Sequence, residues 1–150
     1  MSEYDATVAW HLGPNEAFDY ESFSRDHEWT FSGGEVVQAS GSPAFFGNAT
    51  RVNPDEAVIA ATSSCHMLTF LAIAAKQRHK VLSYIDQPRG RVEKNRDGRM
   101  AITHIELRPR VVFEEDITPQ ALEKLHASAH RNCFVANSLN TEVTVHPVEG

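Results

Sequence analysis

The two cysteines are the residues of this sequence whose chemistry allows the most different roles. Cys65 and Cys133 are the only cysteines among 150 residues, and neither belongs to a Cys-x-x-Cys motif. In a reducing compartment, two cysteines serve as buried hydrophobes, as metal ligands or as a redox pair. The eight histidines are scattered without ligand spacing, which argues against a zinc site. Core packing and reversible disulfide chemistry remain as the two explanations.

The positions of the cysteines separate these explanations only in part. Cys65 lies in the middle of a predicted helix, where burial would raise the pKa of its thiol and make it inert unless a cation is nearby. Cys133 lies just beyond the end of a second predicted helix. This arrangement suits a pair that forms and breaks a disulfide, although separation along the sequence does not fix a distance.

Two other polar residues have ordinary structural explanations. His66 follows Cys65, but one residue along a helix turns the side chain by about 100°, away from the cysteine. We therefore predict a core or interface histidine at this position. Arg25 stands beside Asp26 and by itself reads as a surface cation.

The element that must position Cys65 is a long apolar helix over residues 53–78. Asn53 and Glu56 can form a capping box, and Pro54 suits the first helical position. Lys76 and Arg78 favour the negative end of the helix dipole. Most of the helix surface is apolar, so we predict a helix that is buried on most sides. Its cysteine-bearing stripe consists of Val58, Ala61, Cys65, Leu68 and Ala72.

This helix is long enough to cross a membrane, but polar side chains interrupt its middle. They are Thr62, Ser63, Ser64, His66 and Thr69. The rest of the chain consists of strand and turn patterns. We therefore predict a soluble domain without a membrane span.

The remaining patterns predict an α+β fold in a single domain, residues 1–150. A second helix begins with Thr118 as the cap and Pro119 at the first position, and ends near His130. The strands are predicted to pair antiparallel, and residues 101–113 are predicted to form one strand bent at Pro109. The first helix is too apolar for a monomer, so we predict a homodimer that shares it in a common core. The other predicted strands are 6–12, 27–31, 35–39, 81–85, 90–94 and 141–146.

Charge and the N-terminal sequence limit the partners. The net charge is −6 and the basic residues form no long cluster, which argues against nucleic-acid binding. The first seven residues are acidic and show no pattern of a secretory or mitochondrial signal. We expect a cytoplasmic protein.

Four segments carry a family resemblance: Asn-Pro-Asp-Glu through Ser-Ser-Cys-His-Met at 53–67, Ser-Arg-Asp-His at 24–27, Leu-Arg-Pro-Arg at 107–110 and Asn-Cys-Phe-Val-Ala-Asn-Ser at 132–138. Together they resemble the OsmC/Ohr family of thiol-dependent hydroperoxide reductases. The resemblance spans nearly the whole chain in the family's order. It implies an OsmC-like intertwined homodimer, with antiparallel sheets wrapped around two long central helices and active sites at the subunit interface.

The resemblance also assigns roles to five residues. Cys65 matches the peroxidatic cysteine and Cys133 the resolving cysteine. Arg25 looks like the arginine that stabilises the thiolate. Asp55 stands ten residues before Cys65, where the family has the glutamate that orients this arginine, and the adjacent Glu56 is the other candidate for that role. Asp55 is one methylene shorter than the family's glutamate.

The implied activity is that of an antioxidant peroxidase. It would reduce organic hydroperoxides to alcohols through a Cys65 sulfenic acid and a Cys65–Cys133 disulfide, without metal, haem or flavin. The resemblance suggests a dithiol reductant such as protein-bound dihydrolipoamide on a lipoylated protein. The alternative is a redox-sensing or small-ligand-binding dimer of the same fold with little or no turnover. Aspartate in place of the family's glutamate is the feature that favours this alternative.

Overall fold

A computed structural model describes residues 1–149 of the chain, which divides into two compact units, Met1–Ala57 and Val58–Gly150. The mixture of helices and antiparallel sheets confirms the predicted α+β class. The prediction of a single domain over residues 1–150 stays a prediction. The two units are described in turn.

The first unit contains a three-stranded antiparallel sheet in the order β1-β2-β3. Its strands are β1 (Ala6–Ala9), β2 (His27–Phe31) and β3 (Val36–Ala39). The predicted hairpin between β2 and β3 is present, and Gly34 in its turn has a φ of 93°, a value that glycine adopts without strain. The first strand is three residues shorter than predicted. A short 3-10 helix, Pro43–Phe45, follows the sheet.

Helix α1 (Pro54–Lys76) begins as the sequence predicts. The Asn53 side chain accepts a hydrogen bond from the Glu56 amide at 2.9 Å, and the Glu56 carboxylate accepts one from the Asn53 amide at 3.2 Å. These reciprocal bonds form the predicted capping box. By length and composition α1 could also cross a membrane, a test that core helices of soluble proteins pass as well.

The prediction that α1 is buried on most sides is wrong for the single chain. Its four buried residues are spaced by four and so form one stripe: Thr62, His66, Phe70 and Ala74. The predicted core stripe is turned away from this face, since Ala61 and Ala72 are exposed and Leu68 is 60% exposed. Cys65, which belongs to the predicted stripe, is half-buried.

The second unit has two sheets beside α1. A two-stranded antiparallel sheet pairs β4 (Val81–Asp86) with β7 (Pro109–Phe113). A three-stranded sheet has the order β5-β6-β8, formed by β5 (Arg89–Lys94), β6 (Met100–Leu107) and β8 (Glu142–Val145). Strands β5 and β6 pair antiparallel, but β6 and β8 pair parallel. The prediction of antiparallel pairing is therefore wrong for β6 and β8.

Residues 101–113 are predicted as one bent strand but form two strands in different sheets. Strand β6 ends at Leu107, and β7 begins at Pro109. At the junction, the backbone amide of Arg108 donates a hydrogen bond to Asp86 Oδ1 at 2.7 Å. Because the Arg108 amide is used in this bond, it does not pair with a neighbouring strand in either sheet. The strand is therefore divided at this residue.

Helix α2 (Pro119–Asn132) supplies the other half of the core. The Thr118 hydroxyl caps its start by accepting a hydrogen bond from the Ala121 amide at 3.1 Å, as predicted. Buried Leu125 and Ala129 pack against Phe70 and Ala74 of α1. A third helix, α3 (Phe134–Ser138), follows directly and was not predicted.

Candidate redox site

The second unit brings the two cysteines together. Cys65 on α1 lies close enough to Cys133 for its thiol to help raise the pKa of the Cys133 thiol, and both cysteines are free thiols. Cys133 is the single residue between α2 and α3. Its backbone amide donates a hydrogen bond to the carbonyl oxygen of His130 at 3.4 Å. The sequence spacing could not show this proximity. It makes the redox pair the more specific of the two explanations for these cysteines.

The environment of Cys133 favours the protonated thiol. Burial, together with the neighbouring Cys65 thiol, raises the pKa of Cys133 to about 11, although the Ala136 amide donates a hydrogen bond to its Sγ at 3.4 Å. Cys133 is 1% exposed, whereas Cys65 is half-buried. At neutral pH Cys133 is therefore a thiol, and Cys65 is the more exposed of the two cysteines.

A buried histidine pair joins the two long helices, α1 and α2. His66 follows Cys65 on α1, and His126 lies on α2; they are 1% and 4% exposed. Their rings are nearly parallel, at 10°, with centroids 5.3 Å apart and His66 Nε2 3.0 Å from His126 Nδ1. The short nitrogen distance and the wide centroid separation show that the rings meet edge to edge through a hydrogen bond. The prediction of a core histidine at position 66 is confirmed.

Both imidazoles of this pair are held neutral. Burial lowers the pKa of His66 to about 4, helped by nearby His130 and opposed by Asp86. Burial, together with His66, also lowers the pKa of His126 to about 4. A neutral pair needs one ring to donate and the other to accept, so the hydrogen bond ties α1 to α2.

The histidine pair should make stability fall as the pH is lowered from 6.5 to 4. In this range the unfolded histidines, with an ordinary pKa of 6.5, bind protons that the folded pair rejects, so protons favour the unfolded chain. We expect a loss of roughly 2–4 kcal/mol in the free energy of unfolding, since one pKa unit corresponds to about 1.4 kcal/mol. Urea unfolding at pH 6.5, 5.5 and 4.5 measures it.

The slope with pH, rather than stability at one pH, tests this prediction. His126→Phe removes one of the two titrating rings and should reduce the slope. His11→Gln changes an exposed histidine and is the matched control, so it should leave the slope unchanged. Equal slopes in the parent and in His126→Phe would contradict the assignment.

Asp86, the last residue of β4, joins α1 to the junction between β6 and β7. Its carboxylate accepts hydrogen bonds from the Ser63 hydroxyl and from the Arg108 amide. A cavity of about 280 Å³ lies beside it, lined in part by Ser64, Met67 and Tyr84. Asp86 was missed by the sequence reasoning because its partners lie 23 and 22 residues away and no local motif marks it.

Arg25 lies in the first unit and is held by backbone carbonyls and aromatic rings. Its guanidinium donates to the carbonyl oxygens of Phe23 and Tyr20, and its Cζ lies 3.6 Å from the centroid of the Phe23 ring. The Phe46 ring lies 5.1 Å away. The neighbouring Asp26 pairs with Arg51 at 3.4 Å. Arg25 is therefore a half-buried cation in an aromatic cage.

The two candidate carboxylates do not pair with Arg25 in the chain as described. Within residues 1–57, no ion pair joins Arg25 to Asp55 or Glu56. Glu56 is engaged in the capping box of α1. The roles of Arg25, Asp55 and Glu56 stay predictions. Within residues 1–149, no cluster of three or more His, Cys, Asp or Glu side chains is arranged so that it could hold a metal ion.

Comparisons with known proteins point to one family. The family model described as OsmC-like protein matches residues 47–147. The chain is 47% identical to a solved OsmC-like protein of unknown function from Vibrio cholerae, with a TM-score of 0.94 over 99% of this chain and 100% of that one. A comparison with curated proteins gave no match.

More distant solved structures share the fold. An organic hydroperoxide resistance protein from Elizabethkingia anophelis has a TM-score of 0.77 at 16% identity, over 100% of this chain and 98% of that one. The organic hydroperoxide resistance protein OhrB of Bacillus subtilis has a TM-score of 0.66 at 17% identity, over 98% of each chain. At such low identity these likenesses establish the fold alone.

Proposed function

This chain belongs to the OsmC-like protein family, and we propose that it is a thiol-dependent peroxidase that reduces organic hydroperoxides to alcohols. The observation that carries the proposal is the proximity of Cys65 to Cys133, close enough for one thiol to raise the pKa of the other. The chain has no other cysteine, so the pair holds all of its thiol chemistry. Solved relatives of the same fold include proteins named for organic hydroperoxide resistance.

The reaction begins at Cys65. Its thiolate attacks the terminal oxygen of the hydroperoxide, so that an S–O bond forms and the O–O bond breaks. The other oxygen leaves with the organic group and takes up a proton to become the alcohol. The sulfur is oxidised by two electrons to a sulfenic acid, and the peroxide is reduced by two electrons.

Cys133 then resolves the sulfenic acid. Its sulfur attacks the Cys65 sulfur, and the sulfenic hydroxyl leaves as water with the proton of the Cys133 thiol. The Ala136 amide, which donates to Cys133 Sγ, supports the charge that develops on this sulfur. A dithiol reductant such as protein-bound dihydrolipoamide restores both thiols by exchange and is itself oxidised to a disulfide. We place this cycle in the cytoplasm.

A steady-state assay with cumene hydroperoxide and dihydrolipoamide tests the function. We expect many equivalents of peroxide to be consumed per chain. Peptide mapping without reductant after one equivalent of peroxide should find the Cys65–Cys133 cross-link. Oxidation of Cys65 to sulfinic acid while Cys133 stays free would refute the two-cysteine cycle.

The second candidate function is a redox-sensing or small-ligand-binding dimer. It is supported by one observation, that neither Asp55 nor Glu56 is ion-paired with Arg25 within residues 1–57. An arginine without an orienting carboxylate would activate Cys65 less well. In the assay above, a sensor would stop after about one equivalent of peroxide per chain, because one chain supplies one oxidation of Cys65.

The proposed active form is a homodimer in which α1 of one chain packs on α1 of its partner. The exposed face of α1 supports this assembly, because it presents small and apolar side chains along its length. Ala61, Ser64 and Ala72 allow close approach, and Leu68 is the largest side chain among them. In the most apolar 18-residue stretch of α1, only 22% of the residues are buried in the single chain.

Leu68→Glu is expected to convert the dimer to a monomer. Burial of two carboxylates at a shared helix contact is costly because each charge loses its hydration. Light scattering should give twice the 16.7 kDa mass of one chain for the parent and about one chain mass for the variant. Leu82→Glu, at a leucine of similar exposure on β4, is the control and should remain dimeric. A folded monomer for the parent would refute the dimer.

Arg25→Lys should keep the fold and slow the reaction of Cys65 with hydroperoxide. A lysine keeps the charge but cannot bond both carbonyls and lie flat on the Phe23 ring as the guanidinium does. We expect a loss of roughly tenfold to a hundredfold, about 1.4–2.7 kcal/mol of barrier. Asp55→Asn should give a smaller loss in the same direction.

The second-order rate of Cys65 with cumene hydroperoxide, measured beside a thermal melt, checks these variants. Arg51→Lys is the control, because Arg51 lies in the same unit and pairs with Asp26. Its rate should match that of the parent. If Arg25→Lys and Asp55→Asn both react as fast as the parent, Arg25 has no part in activating Cys65.

A further inference from the structure

Strand β8 has one unpaired edge. Among residues 1–149, β6 pairs with one side of β8 and no strand pairs with the other. The His146 amide, just beyond β8, donates to the Leu107 carbonyl oxygen at 2.8 Å and so points toward β6. Because backbone groups alternate in direction along a strand, the Thr144 amide also points toward β6, whereas those of Val143 and Val145 point to the unpaired edge. An edge with free amides and carbonyls can pair with one further strand.

An apolar groove borders this edge. It lies between α2 and β8 and has a volume of about 420 Å³, within the range of ligand sites, about 300–1,000 Å³. Leu122 of α2 and Val143 and Val145 of β8 make its apolar walls, and all three are partly exposed. The residues that carry the free amides are therefore residues that line the groove. A strand added to this edge would lie along the groove.

The charged groups of the groove favour a cation. Glu123 is the carboxylate that lines it, is exposed and forms no salt bridge within residues 1–149. His130 lines it seven residues later, about 10.5 Å further along α2. A carboxylate beside His130 would face the negative end of the helix dipole, because His130 lies in the last turn. His126 also lines the groove, but burial lowers its pKa to about 4, so it is uncharged at neutral pH.

We propose that an extended segment of a partner protein adds to β8 as an antiparallel strand, inserts apolar side chains into the groove and places a lysine or arginine beside Glu123. In antiparallel pairing, Val143 and Val145 each exchange two hydrogen bonds with the residue directly opposite. The main-chain bonds supply affinity, and the groove selects the side chains at alternate positions. No step of the proposed peroxidase cycle involves this groove, so the proposal does not depend on that function.

Strand β8 of a second copy is a poorer occupant. The residues of β8 that line the groove are Val143 and Val145, and the residues at the same spacing on either side are Thr141 and Pro147. None of them is positively charged, so a second β8 would leave Glu123 unpaired. Side chains on one face of a strand are two residues apart, so the recognised pattern is a basic residue and two apolar residues at alternate positions.

Amide exchange and NMR titration of the full chain test the proposal. In the free protein, we expect slow exchange at the Thr144 amide and fast exchange at those of Val143 and Val145. The probes are acetyl-Lys-Thr-Val-Thr-Val-amide and the reverse sequence acetyl-Val-Thr-Val-Thr-Lys-amide, which place the lysine at opposite ends. We expect one of them to shift the amide signals of Val143 and Val145 saturably and to slow their exchange.

Modified peptides separate strand pairing from side-chain contact. Methylation of both valine nitrogens removes the amides that face β8 and keeps the side chains. It should weaken binding at least about tenfold, or about 1.4 kcal/mol. Methylation of the threonine nitrogen between the valines is the matched control, because that amide points away from β8 and its loss should leave affinity unchanged.

Variants of the chain localise the peptide. Val145→Pro removes a free amide that β6 does not use, at an edge position where proline is tolerated. It should weaken binding roughly fivefold more than Val145→Ala, which trims the wall and keeps the amide. Unchanged β6 amide signals show that the sheet is intact. Glutamate in place of the peptide's lysine should weaken binding roughly threefold to tenfold in the parent, through repulsion by Glu123. Glu123→Gln should remove this difference.

Three results would overturn the proposal. Slow exchange at Val143 and Val145 in the free protein would mean that a second copy of the chain already covers the edge. Equal affinity for the plain peptide and for the peptide methylated at both valines would exclude strand pairing. An undiminished effect of the lysine in Glu123→Gln would exclude the assigned charge contact. Neither cysteine takes part in these measurements, so their failure is independent of any failure of the peroxidase assay.

Discussion

Replacing Cys65 with serine is expected to reduce the rate of organic hydroperoxide consumption at least about a thousandfold, which corresponds to about 4 kcal/mol of barrier. A serine hydroxyl stays protonated at neutral pH and cannot accept an oxygen atom as sulfur does. The substitution should be tolerated structurally, because Cys65 is half-buried and serine is nearly isosteric. Stopped-flow measurement of peroxide loss, with a dithiol present, checks this result.

Cys133→Ser distinguishes the two steps of the cycle. Because Cys65 rather than Cys133 is the attacking sulfur in the proposed cycle, the first turnover should proceed at about the parent rate. Later turnovers should fail, since the sulfenic acid of Cys65 then has no thiol partner in the chain. Mass spectrometry should find Cys65 as sulfenic or sulfinic acid. Sustained turnover in Cys65→Ser would refute the proposed function, and sustained turnover in Cys133→Ser would show that another thiol resolves the intermediate.

Phe70→Ala should lower the free energy of unfolding by about 3–5 kcal/mol, the usual cost of truncating a fully buried phenylalanine. Phe70 is 0% exposed and lies at the centre of the core formed by α1 and α2. Its ring centroid is 4.4 Å from that of His126, 5.4 Å from that of Tyr84 and 6.4 Å from that of Phe113. Truncation therefore removes contacts with one helix and two strands at once.

Urea unfolding at neutral pH measures this loss. Leu82→Ala, at a leucine that is 58% exposed on β4, is the control and should change stability by less than about 0.5 kcal/mol. A loss below about 1 kcal/mol for Phe70→Ala would contradict the central position of this ring, because so small a cost is typical of surface sites.

The sequence predicts the starts of both long helices because their signals are local. Asn53, Pro54 and Glu56 mark the first turn of α1, and Thr118 and Pro119 mark that of α2. Each signal is complete within four residues, so no tertiary contact is needed to interpret it. The family resemblance rests on motifs of the same local kind, and the family match confirms it.

Features that depend on distant partners could not be predicted. The strand pattern of residues 101–113 is continuous, yet Asp86 binds the Arg108 amide and divides it. The parallel pairing of β8 with β6 follows from the route of the chain through α2, which alternation does not encode. Helix α3 was missed because its cap is the sulfur of Cys133, which is not a recognised capping side chain.

The two cysteines of the candidate site were predicted from the sequence, but their spatial arrangement was not. Cys65 and Cys133 stand out because the sequence has no other cysteine, whereas their proximity depends on how α1 packs against α2. His126 carried no signal, because its importance comes from a hydrogen bond to His66, 60 residues earlier. The predicted stripe of α1 is not the one that its own chain buries, because a uniformly apolar helix does not indicate which face that chain covers.

The parallel pairing of β6 with β8 affects the order in which the chain folds. Strand β5 pairs with β6 across a short turn and can form early, but the other edge of β6 waits for residues 142–145 to be synthesised. Closing so long a loop slows folding, since the entropy is lost before the contacts form. During synthesis, that edge of β6 is an open row of amides and carbonyls, which makes nascent chains prone to aggregation until β8 arrives.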